Sequence, residues 1–191
     1  MKQLRVIVAE DEPIARKDIV EMLAEGNIIT IGECVDGLSA INLARALKPD
    51  LIIMDIKMPG VSGLEAAKTL NQEKVAPVML LTAYSQEALI EEARTAGVLA
   101  YLVKPVNPQN LIPACHIAVT RYEEFSVLNN EIKDLTEAID ARKLIEKAKR
   151  LLQEKYRIDE DAAFKKIRGI SMSQRKPMKE VAEAVILTLS D

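Results

Sequence analysis

The stretch "LIIMDIKMPG", residues 51–60, carries the strongest single indication of the fold. Four apolar residues lead into Asp55, and Met58, Pro59 and Gly60 interrupt the chain shortly after it. An apolar run of this length is typical of a strand that is covered on both faces of a sheet. Such a strand would deliver one carboxylate to its own carboxyl end and hold it there rigidly.

The same combination of apolar runs and amphipathic stretches recurs through the first 105 residues. The apolar runs lie at 4–9, 28–35, 51–55, 78–82 and 100–103, and the amphipathic stretches lie at 13–24, 37–48, 62–71 and 86–96. This alternation predicts βαβ units, and five of them predict a flavodoxin-like α/β fold with a five-stranded parallel sheet. In such a sheet, sites form beyond the carboxyl ends of the strands.

Polar residues stand at those predicted strand ends. Glu10 and Asp11 follow the first strand, Asp55 ends the third, Thr82 ends the fourth and Lys104 follows the fifth. Three converging carboxylates would repel one another, and a hard cation such as Mg²⁺ relieves that repulsion. The Lys104 ammonium and the Thr82 hydroxyl would suit an incoming phosphoryl group, which Asp55 would accept as a nucleophile.

Four motifs resemble the receiver domain of two-component response regulators, over residues 1 to about 112. They are "EDEP" (10–13), "LIIMDIKMPGVSGLE" (51–65), "LTAY" (81–84) and "AYLVKPV" (100–106). The resemblance implies phosphorylation of Asp55 by a sensor histidine kinase. It also implies a Mg²⁺ site, phosphoryl-binding and switch residues, and a cis proline bond. The assigned residues are Glu10, Asp11, Asp55 and the Lys57 carbonyl for the metal, Thr82, Tyr101 and Lys104 for the phosphoryl group and switch, and Lys104–Pro105 for the cis bond.

A long helix is predicted to follow, because Asn107 and Pro108 form a typical helix start and no glycine appears from 108 to 156. Apolar residues then recur at a 3,4,3,4 spacing, which is typical of a coiled-coil seam. They are Phe125, Leu128, Ile132, Leu135 and Ile139. The alternative is a helix that packs on its own domain. We favour a linker over residues 113–140 that forms a homodimer when the protein is phosphorylated; whether Pro113 kinks the helix stays open.

The charge changes sign after the seam. Residues 142–179 hold thirteen basic and five acidic residues, whereas residues 1–108 hold eleven basic and fifteen acidic ones. This asymmetry indicates a polyanion as the partner of the C-terminal part. Two further helices, at 160–168 after Asp159 and at 177–189 from Pro177, predict a small three-helix domain over residues 141–191.

The tail from 141 to 185 resembles the ANTAR domain, an RNA-binding antitermination module. The matching stretch is "ARKLIEKAKRLLQEKYRIDEDAAFKKIRGISMSQRKPMKEVAEAV", with Arg150 where the family usually has glycine. The whole chain is similar to antiterminator response regulators, most of all to the ethanolamine type. The resemblance implies binding to RNA hairpins in leader transcripts and transcription antitermination. The candidate RNA contacts are Arg142, Lys149, Arg150, Arg168, Arg175 and Lys176.

The sequence leaves three other output functions as alternatives to RNA binding. A DNA-binding transcriptional regulator would need a helix-turn-helix with a tight turn, and "RGISMSQRKP" (168–177) is long for that turn. An enzyme is disfavoured because the tail has no histidine and no Gly-rich loop, and His116 is the only histidine of the chain. An output that binds only proteins is a further alternative.

The composition is that of an ordinary folded protein, with 191 residues, 49% of them hydrophobic and 29% charged. The N-terminal apolar run is too short for a signal peptide or a membrane span, so we expect a cytoplasmic protein without a membrane partner. Cys34 and Cys115 lack metal-site spacing and are expected to be buried free thiols.

Overall fold

The computed structural model describes residues 3–83, 97–98 and 100–189. The helix expected over 86–96 lies outside the described residues. The chain divides into two compact units, Met1–Phe125 and Ser126–Asp191.

The first unit contains the five-stranded parallel sheet that the sequence predicts. Its strands are β1 (Arg5–Ala9), β2 (Ile29–Cys34), β3 (Leu51–Asp55), β4 (Val78–Thr82) and β5 (Ala100–Val103). They are arranged in the order β2-β1-β3-β4-β5, as in a flavodoxin-like fold. Ala9 lies opposite Met54, and Asp55 lies opposite Leu81. The carboxyl ends of β1, β3 and β4 are therefore neighbours at one edge of the sheet.

The described residues form six helices. They are α1 (Pro13–Glu25), α2 (Gly37–Leu47), α3 (Gly63–Gln72), α4 (Pro108–Tyr156), α5 (Glu160–Gln174) and α6 (Met178–Leu189). Asn107 caps α4, since its side-chain oxygen accepts a 3.0 Å hydrogen bond from the Asn110 amide. Asp159 caps α5 by accepting a 2.7 Å bond from the Ala162 amide. Pro113 lies inside α4 without ending it.

The sheet is covered on both faces because alternate side chains of its strands enter different cores. Ile52 and Met54 of β3 pack in a core with residues of α2 and α3. Leu51 and Ile53 pack in the other core, with residues of α1 and the first turns of α4. Both sets are fully buried, which accounts for the continuous apolar run in the sequence.

The second unit has a core formed by three helices. Its buried residues are Ala148 and Leu152 of α4, Ala163 and Ile167 of α5, and Val181 and Ala182 of α6. The end at residue 168 that was predicted for the helix after Asp159 is wrong, because α5 continues to Gln174. The helix continues through Gly169, because Ile170 beyond it also packs against the core. Only residues 175–177 connect α5 to α6, so the predicted long connection is also wrong.

Candidate functional sites

Three carboxylates meet where β1 and β3 end. Oxygen atoms of Glu10, Asp11 and Asp55 all lie within 4.8 Å of one another. Glu10 and Asp55 are buried, whereas Asp11 is exposed. Two strand ends thus hold two charged groups away from solvent, and the third group remains open to it. The ends of β1 and β3 bring these three residues together, as predicted.

A lysine from the end of β5 lies between the two buried carboxylates. The Lys104 ammonium is 2.7 Å from Glu10 Oε2 and 3.0 Å from Asp55 Oδ1. The Lys104 amide donates a 2.8 Å hydrogen bond to the carbonyl of Thr82, which fixes the lysine beside β4. The Lys104–Pro105 bond is cis, as the resemblance implies.

The pKa values of these partners reflect burial and pairing. Burial raises the pKa of Glu10 above its usual value, although the hydrogen bond and the charge of Lys104 oppose the shift. For Lys104, burial acts to lower the pKa, but the hydrogen bonds to Glu10 and Asp55 outweigh it, so its pKa is raised. Lys104 therefore remains an ammonium and partly neutralises the buried carboxylates.

Two residues that the sequence reasoning did not single out support this site. Arg16 donates a 2.7 Å hydrogen bond to the Glu10 carbonyl and contacts Glu33 at 3.2 Å, so it fixes the backbone at the end of β1. Gly63 opens α3 against β3: a Cβ at this position would lie 1.9 Å from the Asp55 carbonyl oxygen. In the sequence, only the spacing of the motif "PGVSG" (59–63) indicated a role for Gly63, and no pattern indicated a role for Arg16.

The donor set fits Mg²⁺, because hard divalent cations prefer carboxylate and carbonyl oxygens. Glu10, Asp11 and Asp55 would supply carboxylates, and Lys57 lies exposed in the loop after β3. Thr82 is buried at the end of β4. Tyr101, two residues into β5, is 44% exposed. The structure therefore places Thr82, Lys104 and the carboxylates at one edge, and it leaves the Tyr101 ring partly in solvent.

The candidate RNA contacts fall into two groups in the second unit. Arg142, Arg150, Arg168, Arg175 and Lys176 are exposed. Lys149 is only 7% exposed, and its ammonium lies 2.8 Å from Glu146 Oε1 and 2.6 Å from Glu160 Oε1. These contacts occupy Lys149 within the module, so its placement argues against a direct phosphate contact. The burial of this side chain depends on its partners Glu146 and Glu160 on two helices, which a sequence pattern does not reveal.

The five seam residues share one side of α4 and are all 55–65% exposed. They are Phe125, Leu128, Ile132, Leu135 and Ile139. Beyond Ile139 the same side of the helix carries Arg142, Lys143, Glu146, Lys147 and Arg150, which together line a shallow surface furrow. An apolar strip therefore leads directly into a charged one.

Both cysteines are free and buried, as expected. Burial raises the pKa of Cys34 to about 11 and that of Cys115 to about 12. In the parts of the chain that the structure describes, every helix is too short or too polar to cross a bilayer.

Comparison with known proteins identifies both units. The response regulator receiver domain model matches residues 6–116, and the ANTAR domain model matches residues 133–186. The transcriptional regulatory protein PdtaR of Mycobacterium tuberculosis is 48% identical over 185 residues, which are 97% of this chain and 90% of that protein. The resemblance to ethanolamine regulators stays a prediction, since this relative carries another name.

Further similarities concern the receiver alone. The receiver domain of the putative response regulator NarL from Mycobacterium tuberculosis superposes with a TM-score of 0.61 at 27% identity, over 63% of this chain and 98% of that one. A protein-glutamate methylesterase/protein-glutamine glutaminase of Myxococcus xanthus is 39% identical over 110 residues, which are 56% of this chain and 31% of that protein. With both of its domains matched and a relative that covers nearly its whole length, the chain belongs to the response regulators and joins a receiver domain to an ANTAR domain.

Proposed function

We propose that a sensor histidine kinase phosphorylates Asp55, and that the phosphorylated protein dimerises and binds RNA hairpins in leader transcripts to cause antitermination. One observation supports the first step most strongly. Lys104 lies at 3.0 Å from the Asp55 carboxylate, and two further carboxylates lie beside it. A carboxylate so placed has both a cation and a divalent-metal donor set within reach.

The chemistry at Asp55 is a transfer of one phosphoryl group. A carboxylate oxygen of Asp55 attacks the phosphorus of a phosphohistidine, and the P–N bond breaks. Its electron pair stays on the imidazole nitrogen, which becomes neutral or takes up a proton. When bound by Glu10, Asp11, Asp55 and the Lys57 carbonyl, Mg²⁺ supplies positive charge that offsets the crowded oxygens. The output domain is proposed to catalyse no reaction.

Lys104 and Thr82 would respond to the new group. Lys104 now contacts Glu10 and Asp55, and a phosphoryl group on Asp55 would offer it oxygens with more charge. Thr82 would donate its hydroxyl to another phosphoryl oxygen. Tyr101, now partly exposed, would turn inward as Thr82 moves. This movement of the Tyr101 ring would change the outer surface of β5 when Asp55 is phosphorylated.

The seam is the proposed dimer contact. Five large apolar side chains on one side of a helix, all more than half exposed, form a surface that solvent disfavours. Their 3,4,3,4 spacing makes the surface complementary to a second copy of itself. The seam covers only about two heptads, so the free energy of pairing is small. A marginal seam suits a dimer that forms on phosphorylation.

RNA is favoured over DNA by the charge of the last two helices. The three-residue connection between α5 and α6 is as short as the turn of a helix-turn-helix, which is an observation in favour of DNA. A recognition helix must carry side chains for bases and phosphates in the major groove. However, α6 holds one basic residue, Lys179, against Glu180 and Glu183. The exposed arginines of this unit lie instead on α4, just after α4 at Arg157, on α5 and at the end of α5.

The decisive experiment measures phosphorylation, dimerisation and RNA binding of the same protein. Acetyl phosphate with Mg²⁺ should label the wild type, shift it toward a dimer in sedimentation, and tighten its binding to RNA. Binding to an RNA with two hairpins should tighten more than binding to one hairpin, because joining two tails raises the effective concentration of the second. The matched variants are Asp55→Asn, which should lose all three responses, and Asp18→Asn on α1, which should keep them.

Each outcome has a distinct meaning. A stable label on Asp55→Asn would refute the phosphoacceptor. Equal tightening for one and two hairpins would refute the paired-hairpin mechanism. Preference for the matching duplex DNA at equal salt would replace the RNA function by the DNA-binding alternative. The proposed kinase and transcript place this activity in the cytoplasm.

A further inference from the structure

The backbone of Glu10 is held from two sides at the end of β1. Its amide donates a 3.0 Å hydrogen bond to the carbonyl of Cys34, the last residue of β2. Its carbonyl accepts a 2.7 Å hydrogen bond from the Arg16 guanidinium on α1. This carbonyl belongs to the planar peptide group that continues into Asp11, so its direction fixes the backbone between two of the three clustered carboxylates.

Arg16 reaches this carbonyl because of its place in the first turn of α1. Its amide donates a 3.0 Å hydrogen bond to the Glu12 carbonyl, where the helix begins. Helical side chains lean toward the N-terminus, so the guanidinium extends back over the end of β1. There it also donates a 3.2 Å hydrogen bond to the Glu33 carboxylate on β2. The Arg16 side chain is only 18% exposed, so its contacts with two other segments give it a defined geometry.

The charge of Arg16 does not by itself explain its presence beside this site. A cation close to a metal site repels the metal, so an arginine charge acting alone would weaken the binding of Mg²⁺. Glu33 offsets that charge through the ion pair. The carboxylate of Glu10 is bonded to Lys104, whereas Arg16 bonds to the carbonyl of the same residue. The contact of Arg16 therefore acts on the backbone and leaves the carboxylate oxygens to other partners.

We propose that Arg16, held in place by Glu33, is a positioning residue that sets the affinity of the receiver for Mg²⁺. It orients the peptide group between Glu10 and Asp11, so that both carboxylates face Asp55. Mg²⁺ requires nearly ideal octahedral geometry, and a displaced carboxylate therefore weakens its binding. This inference rests on the proposed Mg²⁺-dependent phosphorylation and adds a residue outside the set of metal ligands.

The test measures the affinity of the full, unphosphorylated chain for Mg²⁺ by isothermal titration calorimetry, which requires no kinase and no label. Arg16→Met removes the guanidinium and its charge, whereas Arg16→Lys keeps the charge and removes the planar fork that holds two acceptors. Both variants should bind Mg²⁺ about tenfold more weakly, as is typical when a partner that orients a metal ligand is lost. An effect of charge alone predicts tighter binding for Arg16→Met and unchanged binding for Arg16→Lys.

Three further variants serve as controls. Lys17→Met removes a positive charge from the next residue of α1, whose side chain is 76% exposed. Arg45→Met breaks another arginine–carboxylate pair of the receiver, in which Arg45 donates a 2.8 Å hydrogen bond to Glu73. Both should keep the Mg²⁺ affinity within about twofold of the wild type, although Arg45→Met should lower the urea midpoint. Asp11→Asn removes a carboxylate ligand and should abolish the heat of binding, which shows that the measurement reports this site.

Labelling by acetyl phosphate separates metal binding from the reaction. In Arg16→Met the Mg²⁺ concentration that gives the half-maximal rate should rise about tenfold, in line with the weaker affinity. The rate at saturating Mg²⁺ should stay within about twofold of the wild type, because Asp55 and Lys104 are unchanged. A loss of rate that excess Mg²⁺ does not restore would overturn the proposal, since Arg16 would then act on the reaction itself.

The calorimetric outcomes separate this inference from the function beneath it. Wild-type affinity in both Arg16 variants, or tighter binding by Arg16→Met, would refute the positioning role. An equal loss of affinity in Arg45→Met would reduce the effect to general stability and would refute it as well. If Mg²⁺ produces neither heat nor a rise in the melting temperature of the wild type, the metal site of the proposed function fails, and this inference fails with it. If the variants lose affinity as expected but the wild type accepts no label, the positioning role stands and the phosphorylation of Asp55 is refuted.

Discussion

Lys149 of α4 donates a 2.6 Å hydrogen bond to the carboxylate of Glu160, the first residue of α5. The lysine side chain is nearly buried, and it also contacts Glu146 at 2.8 Å. Glu160 lies at the N-terminus of its helix, where a negative charge is favourable. Lys149 thus joins two helices of the ANTAR domain from inside and positions α5 relative to α4.

Replacing Lys149 should loosen the C-terminal unit. Lys149→Ala removes both the ion pairs and the buried stem, whereas Lys149→Met keeps the stem and removes only the charge. We expect the free energy of opening of α5 to fall in the order wild type, Met variant, Ala variant. Native-state hydrogen exchange of the α5 amides measures it. Lys155→Ala, at an exposed position of α4, is the control and should leave these amides unchanged.

The contact between Lys149 and Glu146 should make this part of α4 sensitive to acid. The hydrogen bond from Lys149, helped by the charges of Lys149, Arg142 and Arg150, holds the pKa of Glu146 below its usual value. A carboxyl group whose pKa is lower in the folded than in the unfolded state stabilises the folded protein at a pH above the unfolded-state pKa. This stabilisation disappears as the pH falls through the folded-state pKa. Hydrogen exchange of the α4 amides around Glu146 should therefore lose protection below about pH 4.5 in the wild type. A Lys149→Met variant with the same acid-dependent loss would contradict the assignment.

Gly63 should tolerate no side chain. The Cβ of Gly63→Ala would lie 1.9 Å from the Asp55 carbonyl oxygen, so α3 or the end of β3 must move. We expect a loss of about 3 kcal/mol in the free energy of unfolding of the receiver, as for a severe overpacking change. Gly60→Ala is a matched control in the same loop, with open space around it and a φ of +72°. It should cost about 1 kcal/mol from the left-handed backbone alone. Equal urea midpoints for the two variants would show that the loop absorbs the added methyl group.

The seam should be required for assembly and not for phosphorylation. Leu128→Lys combined with Leu135→Lys would place four charges in the apolar contact of a dimer, where they are costly. We expect this variant to accept label at Asp55 and to sediment as a monomer. Ser126→Lys combined with Asn130→Lys adds the same charge away from the seam and should still dimerise when labelled. Dimerisation of the seam variant would mean that another surface joins the two copies.

The cysteines should be unreactive in the folded protein. Burial raises the pKa of Cys34 to about 11, with a further contribution from the charge of Asp36, and raises that of Cys115 to about 12. The reactive thiolate is therefore scarce at neutral pH, and both sulfur atoms are shielded. Iodoacetamide should modify neither residue in native protein and both in urea. Rapid native modification of Cys115 would contradict the burial of this α4 residue in the core of the receiver.

Much of the receiver was predictable because its signals are local. The strand and helix periods depend on residues only a few positions apart, and β3, β4 and β5 begin and end where the apolar runs do. The convergence of Glu10, Asp11 and Asp55 followed from one rule, that parallel strands bring their carboxyl ends to the same edge. The helix starts at Asn107 and Asp159 followed from caps that act within three residues.

Contacts between distant parts of the chain were decided by the tertiary structure alone. The sequence marked Lys149 as one cation among thirteen basic residues, and only the packing of α5 against α4 shows that Glu160 occupies it. The helix predicted over 160–168 stopped short of Gly169, yet the packing of Ile167 and Ile170 against a common core carries α5 to Gln174. Arg16 and Gly63 act on Glu10 and Asp55 through the backbone, which leaves no pattern in residue type. Periodicity reports which side of an element is apolar, whereas pairing depends on which side chains the fold brings within a few ångströms of one another.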